Sequence, residues 1–188
     1  MTVKNLQLFS NVDFEKYRQL PGFSYSSFKS FPADFSPTYK MKLGTAVDQY
    51  LTEPEKYNGF EYDFVRKAAQ QIKERIGPLW KHLQKQVSIA ADFEHEGYTM
   101  PYKGRPDFCI PRKLVIDLKV VDDRAAIEHF GYHNQLSGYA LAINAPVALI
   151  LELSRKRKTA TFVPVRITPD FWITKTLLHG RLSEVPAK

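Results

Sequence analysis

Apolar and polar positions alternate with different periods in the two halves of this chain. Apolar residues recur every four positions from Lys40 to Leu51, which predicts a helix. A polar helical pattern follows from Glu61 to Gln86, with an interruption at a Gly-Pro pair. We therefore expect one domain of 188 residues, with a helical N-terminal region over about 1–86 and a strand-rich core over about 87–180.

Short apolar runs separated by turn residues predict the elements of the second half. In chain order these are strands at Val87–Phe93, Tyr98–Ile110 and Leu114–Val121, a helix over Asp123–Ile143, strands at Val147–Leu153 and Thr159–Val165, and a last helix from Pro169 to about His179. We expect the first three strands to form a meander. The order of the elements predicts an α/β fold with a central mixed β-sheet flanked by helices.

Two charges interrupt the apolar run from Leu114 to Val121, namely Asp117 and Lys119. Charges in a buried strand are costly unless they are paired or hold a metal. Side chains alternate along a strand, so these two point to the same face, and Asp107 can return to that face across a hairpin. Two carboxylates and one ammonium at one spot can hold a hard divalent cation beside a phosphate. The alternative is a structural ion pair or a surface edge, but the flanking residues are too apolar for a surface strand.

The charge balance suggests a polyanionic partner. The chain carries 27 Lys and Arg against 20 Asp and Glu, a net charge of +7, which most often indicates nucleic acid. The single Cys109 excludes an internal disulfide and a four-cysteine zinc or iron–sulfur site, and is expected to be a small apolar residue in a strand. No apolar run is long enough to span a membrane, and the first ten residues do not resemble a signal peptide. We expect a soluble protein of the cytoplasm.

Six short motifs, in this order, resemble those of the PD-(D/E)XK nuclease superfamily, in its RecE-like and RecB-like exonuclease branch. Gly104–Asp107 is similar to the first acidic motif, and Asp117–Lys119 is similar to the (D/E)-x-K motif. The other four are Ser26–Phe28 for the Ser-x-Leu opening, Leu43–Asp48 for the Gly-Thr-Ala-x-His helix, Leu51–Tyr57 for the Leu-x-Glu-Pro-Glu stretch, and Tyr132–Tyr139 for the Tyr-His-x-Gln and Gln-x-x-x-Tyr pattern. The resemblance covers roughly Ser24 to Leu153 and implies a restriction-endonuclease-like core.

The resemblance implies a metal site for Mg²⁺ or Mn²⁺. Asp107 and Asp117 would be its carboxylate ligands, with the backbone carbonyl of Leu118. Asp48 stands where the family has a His, and it could hold a second ion, since Asp is the harder ligand; the alternative is a solvated helix residue. Lys119 would orient or deprotonate the attacking water, or stabilise the pentavalent phosphate, and the sequence does not separate these roles.

The resemblance also implies DNA contacts. Gln135 and Tyr139 are four residues apart and share one helix face, which in the family points to the scissile strand; the alternative is a solvated glutamine and a core aromatic. His133 lies off that face, so it could contact DNA or cap local backbone. Arg105 could pair with an acid or with a phosphate.

Two further groups of charges are less specific. Glu94 and Glu96 lie at an expected turn, which favours solvation over a role in the site. The basic run over 155–158 lies at the tip of a predicted hairpin, where it could touch the phosphate backbone or be solvated.

The leading expectation is a metal-dependent DNA exonuclease that hydrolyses phosphodiester bonds from DNA ends in phage-type recombination, repair or DNA degradation. Alternatives are a structure-specific or single-strand nuclease of the same fold, a catalytically inactive DNA-binding module, and an RNA-binding protein or ribonuclease. The expected partner is linear DNA with duplex ends, and copies of the chain could assemble. No P-loop motif occurs, so unwinding would need a partner such as a helicase, and a single-strand annealing protein is a second candidate. The expected compartment is the cytoplasm of a bacterial or phage-infected cell.

Overall fold

The computed structural model describes residues 1–10, 12–29, 36–121, 131–154, 156 and 159–183. The strands are β1 (Thr2–Phe9), β2 (Gln84–Lys85), β3 (Ser88–His95), β4 (Tyr98–Gly104), β5 (Phe108–Ile110), β6 (Leu114–Val121), β7 (Val147–Ser154) and β8 (Thr159–Pro164). The helices are α1 (Phe14–Gln19), α2 (Tyr39–Thr52), α3 (Tyr62–Ile76), α4 (Tyr132–Ala142) and α5 (Asp170–Ser183), with 3₁₀ turns at Tyr25–Phe28, Pro54–Lys56 and Gly77–His82.

The described strands form two sheets. One is antiparallel, in the order β1-β3-β4, and the other is mixed, in the order β2-β5-β6-β7-β8. In the mixed sheet β6 and β7 run parallel, while β6 pairs antiparallel with β5 and β7 pairs antiparallel with β8. The expected mixed α/β fold flanked by helices is therefore confirmed.

The mixed sheet has a core on each face because residues of β6 alternate between them. One core joins this sheet to α2 and α3, and its buried members include Leu43, Val47, Ile72, Phe108, Ile116, Leu118 and Leu151. The other joins it to α4, α5 and the three-stranded sheet, and its buried members include Ile89, Phe93, Tyr102, Val115, Leu136, Ile150 and Trp172. The residues of β6 that share a face with Val115 thus lie under α4.

Local signals fix the helix ends. The side chain of Thr38 accepts a hydrogen bond from the backbone N–H of Met41 at the start of α2. α3 ends at Gly77, which adopts φ +56°, a conformation that glycine reaches without strain. The expected helices at 40–51 and in the first part of 61–86 are confirmed.

The expected meander is wrong, because the chain changes sheets between β4 and β5. Pro106 interrupts the pattern there, since it has no backbone N–H to donate to a ladder. β4 pairs with β3 in the first sheet, whereas β5 pairs with β6 in the second. The N-terminal region is also not wholly helical, because β1 pairs with β3 at the edge of the first sheet.

The remaining predicted elements are confirmed with shifted ends. The helix predicted over 123–143 is described from Tyr132 to Ala142, and residues 122–130 lie outside the described residues. The last helix extends to Ser183. Within the described ranges, no helix combines the length and the apolar character that crossing a membrane requires.

Candidate active site

The site is built around a buried ion pair on β6. Asp117 is 2% exposed and faces the core under α4, and the ammonium of Lys119 pairs with its Oδ2. Burial lowers the pKa of Lys119, but the charges of Asp117 and Asp107 outweigh this effect and the net shift is upward. The lysine is therefore a fixed cation. The two side chains share one face of β6, as strand alternation predicts, and they form the ion pair that the sequence analysis gave as the alternative to a metal site.

Asp107 lies where the chain crosses from one sheet to the other, directly before β5. Its Oδ2 accepts a hydrogen bond from the backbone N–H of Leu118 at 2.6 Å, which holds the crossing segment against β6. Burial raises the pKa of Asp107 well above its usual value, and the charges of Asp117 and Asp48 raise it further. The hydrogen bond places Asp107 beside the residue that follows Asp117, and the charge of Asp117 raises the pKa of Asp107.

Asp48 reaches this region from α2, on the opposite side of the mixed sheet. Gln86 Nε2 donates a hydrogen bond to Asp48 Oδ2, and Arg105 Nη2 donates one to Gln86 Oε1 at 2.7 Å. Burial raises the pKa of Asp48 to about 6; Gln86 and Arg105 oppose this shift, and Asp117 adds to it. Asp48 is half-buried within a polar chain of contacts, which contradicts the alternative of a solvated helix residue.

Arg105 reaches an acid indirectly, through Gln86. Its guanidinium carbon also lies 5.9 Å from the ring centroid of Tyr17 and 6.0 Å from that of Phe14, so α1 covers it. A cleft of about 430 Å³ opens beside Gln86 and Arg105. Because Asp107, Asp117 and Lys119 do not line it, this cleft flanks the carboxylate site without containing it.

Helix α4 contributes the aromatic side of the site. Gln135 Nε2 donates a hydrogen bond to Tyr139 Oη at 2.6 Å, so the two side chains share the predicted face. Burial raises the pKa of Tyr139 well above its usual value, and the charge of Asp117 adds to the shift, which places this tyrosine near the carboxylate. His133 is exposed near the start of the helix.

Two of the acids considered from the sequence lie elsewhere. Glu94 pairs with Lys4 at 2.7 Å on the three-stranded sheet, and Glu96 lies 3.5 Å from His95 at the β3–β4 turn. Of the basic run over 155–158, positions 155, 157 and 158 lie outside the described residues.

The residues fit a Mg²⁺ site in which most of the ligands are water and substrate oxygens. Within the described ranges, no three carboxylate, histidine or cysteine side chains gather as a complete metal cage. Mg²⁺ is usually bound by one or two carboxylates together with waters and substrate phosphates. Asp107 and Asp117 would supply such a pair, and the backbone of Leu118 lies beside Asp107. Asp48 Oδ1 is buried and has no hydrogen-bond partner among the described residues, so it is available to a cation or a water.

Three residues of the region have no role assigned to them in the sequence analysis. Glu152 is 1% exposed and is the register partner of Lys119 on β7; a charge inside an apolar strand is the signal that could have revealed it. Tyr132 places its ring centroid 4.7 Å from Lys119 Nζ. Gln86 has no sequence signal; it adopts a backbone φ of +47°, and its side chain contacts Asp48.

Comparisons with known proteins support the fold. The chain is similar to a crystal structure from Eubacterium rectale described as "Putative exonuclease", with a TM-score of 0.51 and 19% identity over 81% of this chain and 66% of that chain. It is more distantly similar to the structure of SSO0001, with a TM-score of 0.44 and 13% identity over 82% of this chain and 79% of that chain. No family model and no curated protein matches the chain.

The first of these likenesses supports the α/β fold alone. The chain spans 66% of the length of the Eubacterium rectale protein, so that protein contains further residues with no counterpart here. The second likeness is too distant to add to this conclusion.

Proposed function

We propose that this protein is a metal-dependent DNA exonuclease of the PD-(D/E)XK superfamily, in its RecE-like and RecB-like branch. The observation that supports it most is the convergence of Asp107, Asp117 and Lys119 at one end of β5 and β6. Two carboxylates and a fixed ammonium suit the hydrolysis of a phosphodiester. The net charge of +7 suits a polyanionic substrate.

The roles follow from position. Asp107 and Asp117 would hold Mg²⁺ or Mn²⁺ with the Leu118 carbonyl, and Asp48 would add negative charge or hold a second ion. When bound, the ion lowers the pKa of a coordinated water and offsets charge on the phosphate oxygens. In the metal-free protein the charges of Asp117 and Asp107 raise the pKa of Lys119, which favours a role as a cation that stabilises the charge developing on the phosphate.

The substrate-facing groups lie around this centre. Gln135 would contact the scissile strand from α4, and the buried Tyr139 would hold it in place through the hydrogen bond between the two side chains. Arg105 and His133 contact the DNA further out. The biological setting would be phage-type recombination, repair or DNA degradation in the cytoplasm, with an annealing protein or a helicase as partner.

Digestion of end-labelled DNA tests this proposal. The full chain is incubated with Mg²⁺, Mn²⁺ or a chelator, together with linear duplex, single-stranded and closed circular DNA. We expect metal-dependent loss of linear duplex from its ends, while closed circles survive. Cutting of closed circles would show that the protein is an endonuclease rather than an exonuclease. If neither metal supports cleavage but the protein binds DNA tightly, the protein is a DNA-binding module without nuclease activity.

A further inference from the structure

One glutamine side chain connects Asp48 on α2 with the arginine that follows β4. Gln86 Nε2 donates a hydrogen bond to Asp48 Oδ2, and Arg105 Nη2 donates one to Gln86 Oε1 at 2.7 Å. A guanidinium has only donors and a carboxylate has only acceptors, so Arg105 must face the amide oxygen of Gln86 and Asp48 must face the amide nitrogen. The orientation of this amide is therefore determined by its two charged neighbours.

The backbone of Gln86 contacts the segment that carries another candidate metal ligand. Its N–H donates a hydrogen bond to the backbone carbonyl of Asp107 at 2.9 Å, next to the ladder in which β2 pairs with β5. Gln86 therefore lies between Asp48, which arrives on α2, and Asp107, which arrives where the chain crosses between the two sheets. A substitution of the Gln86 side chain removes the contact with Asp48 and leaves this backbone hydrogen bond available.

The contact with Gln86 makes the two oxygens of the Asp48 carboxylate different. Oδ2 accepts the hydrogen bond from Gln86, whereas Oδ1 is buried and has no hydrogen-bond partner among the described residues. A buried acceptor without a partner is costly unless a water or a cation satisfies it. The charge of Asp117 also raises the pKa of Asp48, so the two carboxylates lie within range of each other's charge. A cation beside Oδ1 would offset both costs.

We propose that Gln86 is a positioning residue that holds Asp48 by Oδ2 and so leaves Oδ1 directed toward the metal ion of the candidate site. Arg105 acts one step further away, because it fixes the amide of Gln86. Hydrogen-bond partners of a metal ligand orient that ligand, and their loss typically lowers metal affinity by about 10- to 100-fold. The inference rests on the proposed function for the presence of the metal. It assigns to Gln86 no contact with the ion itself.

Titration with metal in the absence of DNA tests this role without cleavage. Mn²⁺ is added to the full chain, and the free ion is measured by electron paramagnetic resonance. Gln86→Met removes the amide, keeps an unbranched side chain of similar length and should lower the Mn²⁺ affinity about tenfold. Gln84→Met is the matched control, since it makes the same change at an exposed position of β2 and should bind Mn²⁺ as the wild type does.

A double-mutant cycle separates positioning from general structural support. Because Gln86 is proposed to act through Asp48, Gln86→Met should cause no further loss of Mn²⁺ affinity in an Asp48→Ala background. An equal loss in both backgrounds would overturn the inference, and so would an affinity of Gln86→Met that matches that of Gln84→Met.

Gln86→Asn provides a second variant if Gln86→Met does not fold. Asparagine tolerates the φ of +47° at this position. Its side chain is one methylene shorter, so it should not span the gap between Asp48 and Arg105, and we expect the same direction of change. Wild-type Mn²⁺ affinity in Gln86→Asn would then overturn the inference.

The outcomes distinguish the positioning role from the proposed function. Metal-dependent cleavage by the wild type, with unchanged Mn²⁺ affinity in Gln86→Met, would support the nuclease and overturn the positioning role. A loss of Mn²⁺ affinity that depends on Asp48, in a protein that cleaves no DNA, would support the positioning role and overturn the nuclease. A wild type that binds no Mn²⁺ would overturn the positioning role together with the metal site.

Discussion

The carboxylate of Asp107 accepts a hydrogen bond from the backbone N–H of Leu118 at 2.6 Å. This contact binds the segment that crosses between the two sheets to the strand that carries Asp117 and Lys119. The positions of both candidate metal ligands are therefore coupled, and a shift of the crossing segment would move Asp107 relative to Asp117.

Replacing Asp107 by Asn should separate the role of its charge from that of this hydrogen bond. The asparagine oxygen can still accept from Leu118, so the fold should persist, while the loss of one carboxylate should reduce cleavage at least a hundredfold. Metal-free thermal stability should be unchanged or higher, because the charge of Asp107 is buried near Asp117 and Asp48.

Cleavage rates and thermal unfolding of Asp107→Asn check this prediction. Asp63→Asn is the control, since it removes an exposed carboxylate at the start of α3. Near-normal cleavage by Asp107→Asn would remove Asp107 from the catalytic assignment.

Replacing Lys119 by Ala should remove activity while leaving metal binding. It should also destabilise the metal-free protein by about 3 kcal/mol, because it leaves the carboxylate of Asp117 buried without its ion pair. Bound Mg²⁺ would compensate that charge, so Mg²⁺ should raise the Tm of Lys119→Ala more than that of the wild type. Thermal melts with Mg²⁺ and with a chelator measure the difference. Equal Mg²⁺ shifts in both proteins would argue against a cation at Asp117.

The pKa of Asp48 predicts a pH-dependent stability. With a pKa of about 6 in the folded protein and near 3.8 when unfolded, Asp48 binds its proton more tightly in the native state. The unfolding free energy of the metal-free protein should therefore fall as pH rises from about 4 to about 6, because the folded state must hold a charge there.

Asp48→Asn removes this titration and keeps an oxygen for Gln86. At neutral pH the metal-free variant should be more stable than the wild type by about 1–2 kcal/mol, a value reduced for the partial exposure of the side chain, and the difference should vanish below about pH 4. Denaturant unfolding across this pH range, in the presence of a chelator, provides the measurement. Parallel stability curves for the two proteins would contradict the shifted pKa. Asp48→Asn should also weaken Mg²⁺ binding if Asp48 contributes to the metal site.

Two glycine substitutions should differ in their effect on stability. A Cβ at Gly138 in α4 would lie 2.5 Å from Cζ2 of the fully buried Trp172, so Gly138→Ala should cost about 1–3 kcal/mol. A Cβ at Gly44 in α2 would meet Val120 at 3.6 Å, an ordinary contact, so Gly44→Ala should be neutral or stabilise by up to about 1 kcal/mol. Thermal unfolding of both variants tests the packing of α4 on α5. Equal stability of the two would contradict that packing.

The part of the site on β6 could be predicted because its signal is local. Asp117 and Lys119 stand out within an apolar run, and strand alternation alone places them together. Gln135 and Tyr139 are likewise related by helix spacing alone. Each of these relationships depends on residues that are close in sequence.

Relationships between distant segments could not be predicted in this way. Most residues of β1 are exposed, so it lacks an apolar alternation, and its strand form depends on pairing with β3, as Thr2 does with Glu94. The side chain of Gln86 contacts both Asp48 and Arg105, and its backbone φ is positive. Neither feature could be predicted from the residue type.

The pairing of β5 with β6 has a consequence for the order of folding. Asp107, Asp117 and Lys119 belong to one hairpin, whose contacts are short in sequence and close early, whereas Asp48 arrives on α2 from a distant part of the chain. Contacts that close long loops form late, since the entropy of closure must be offset by packing. A refolding chain should therefore assemble the carboxylate–lysine centre before Asp48 docks, so the contact between Asp48 and Gln86 would be among the last to form.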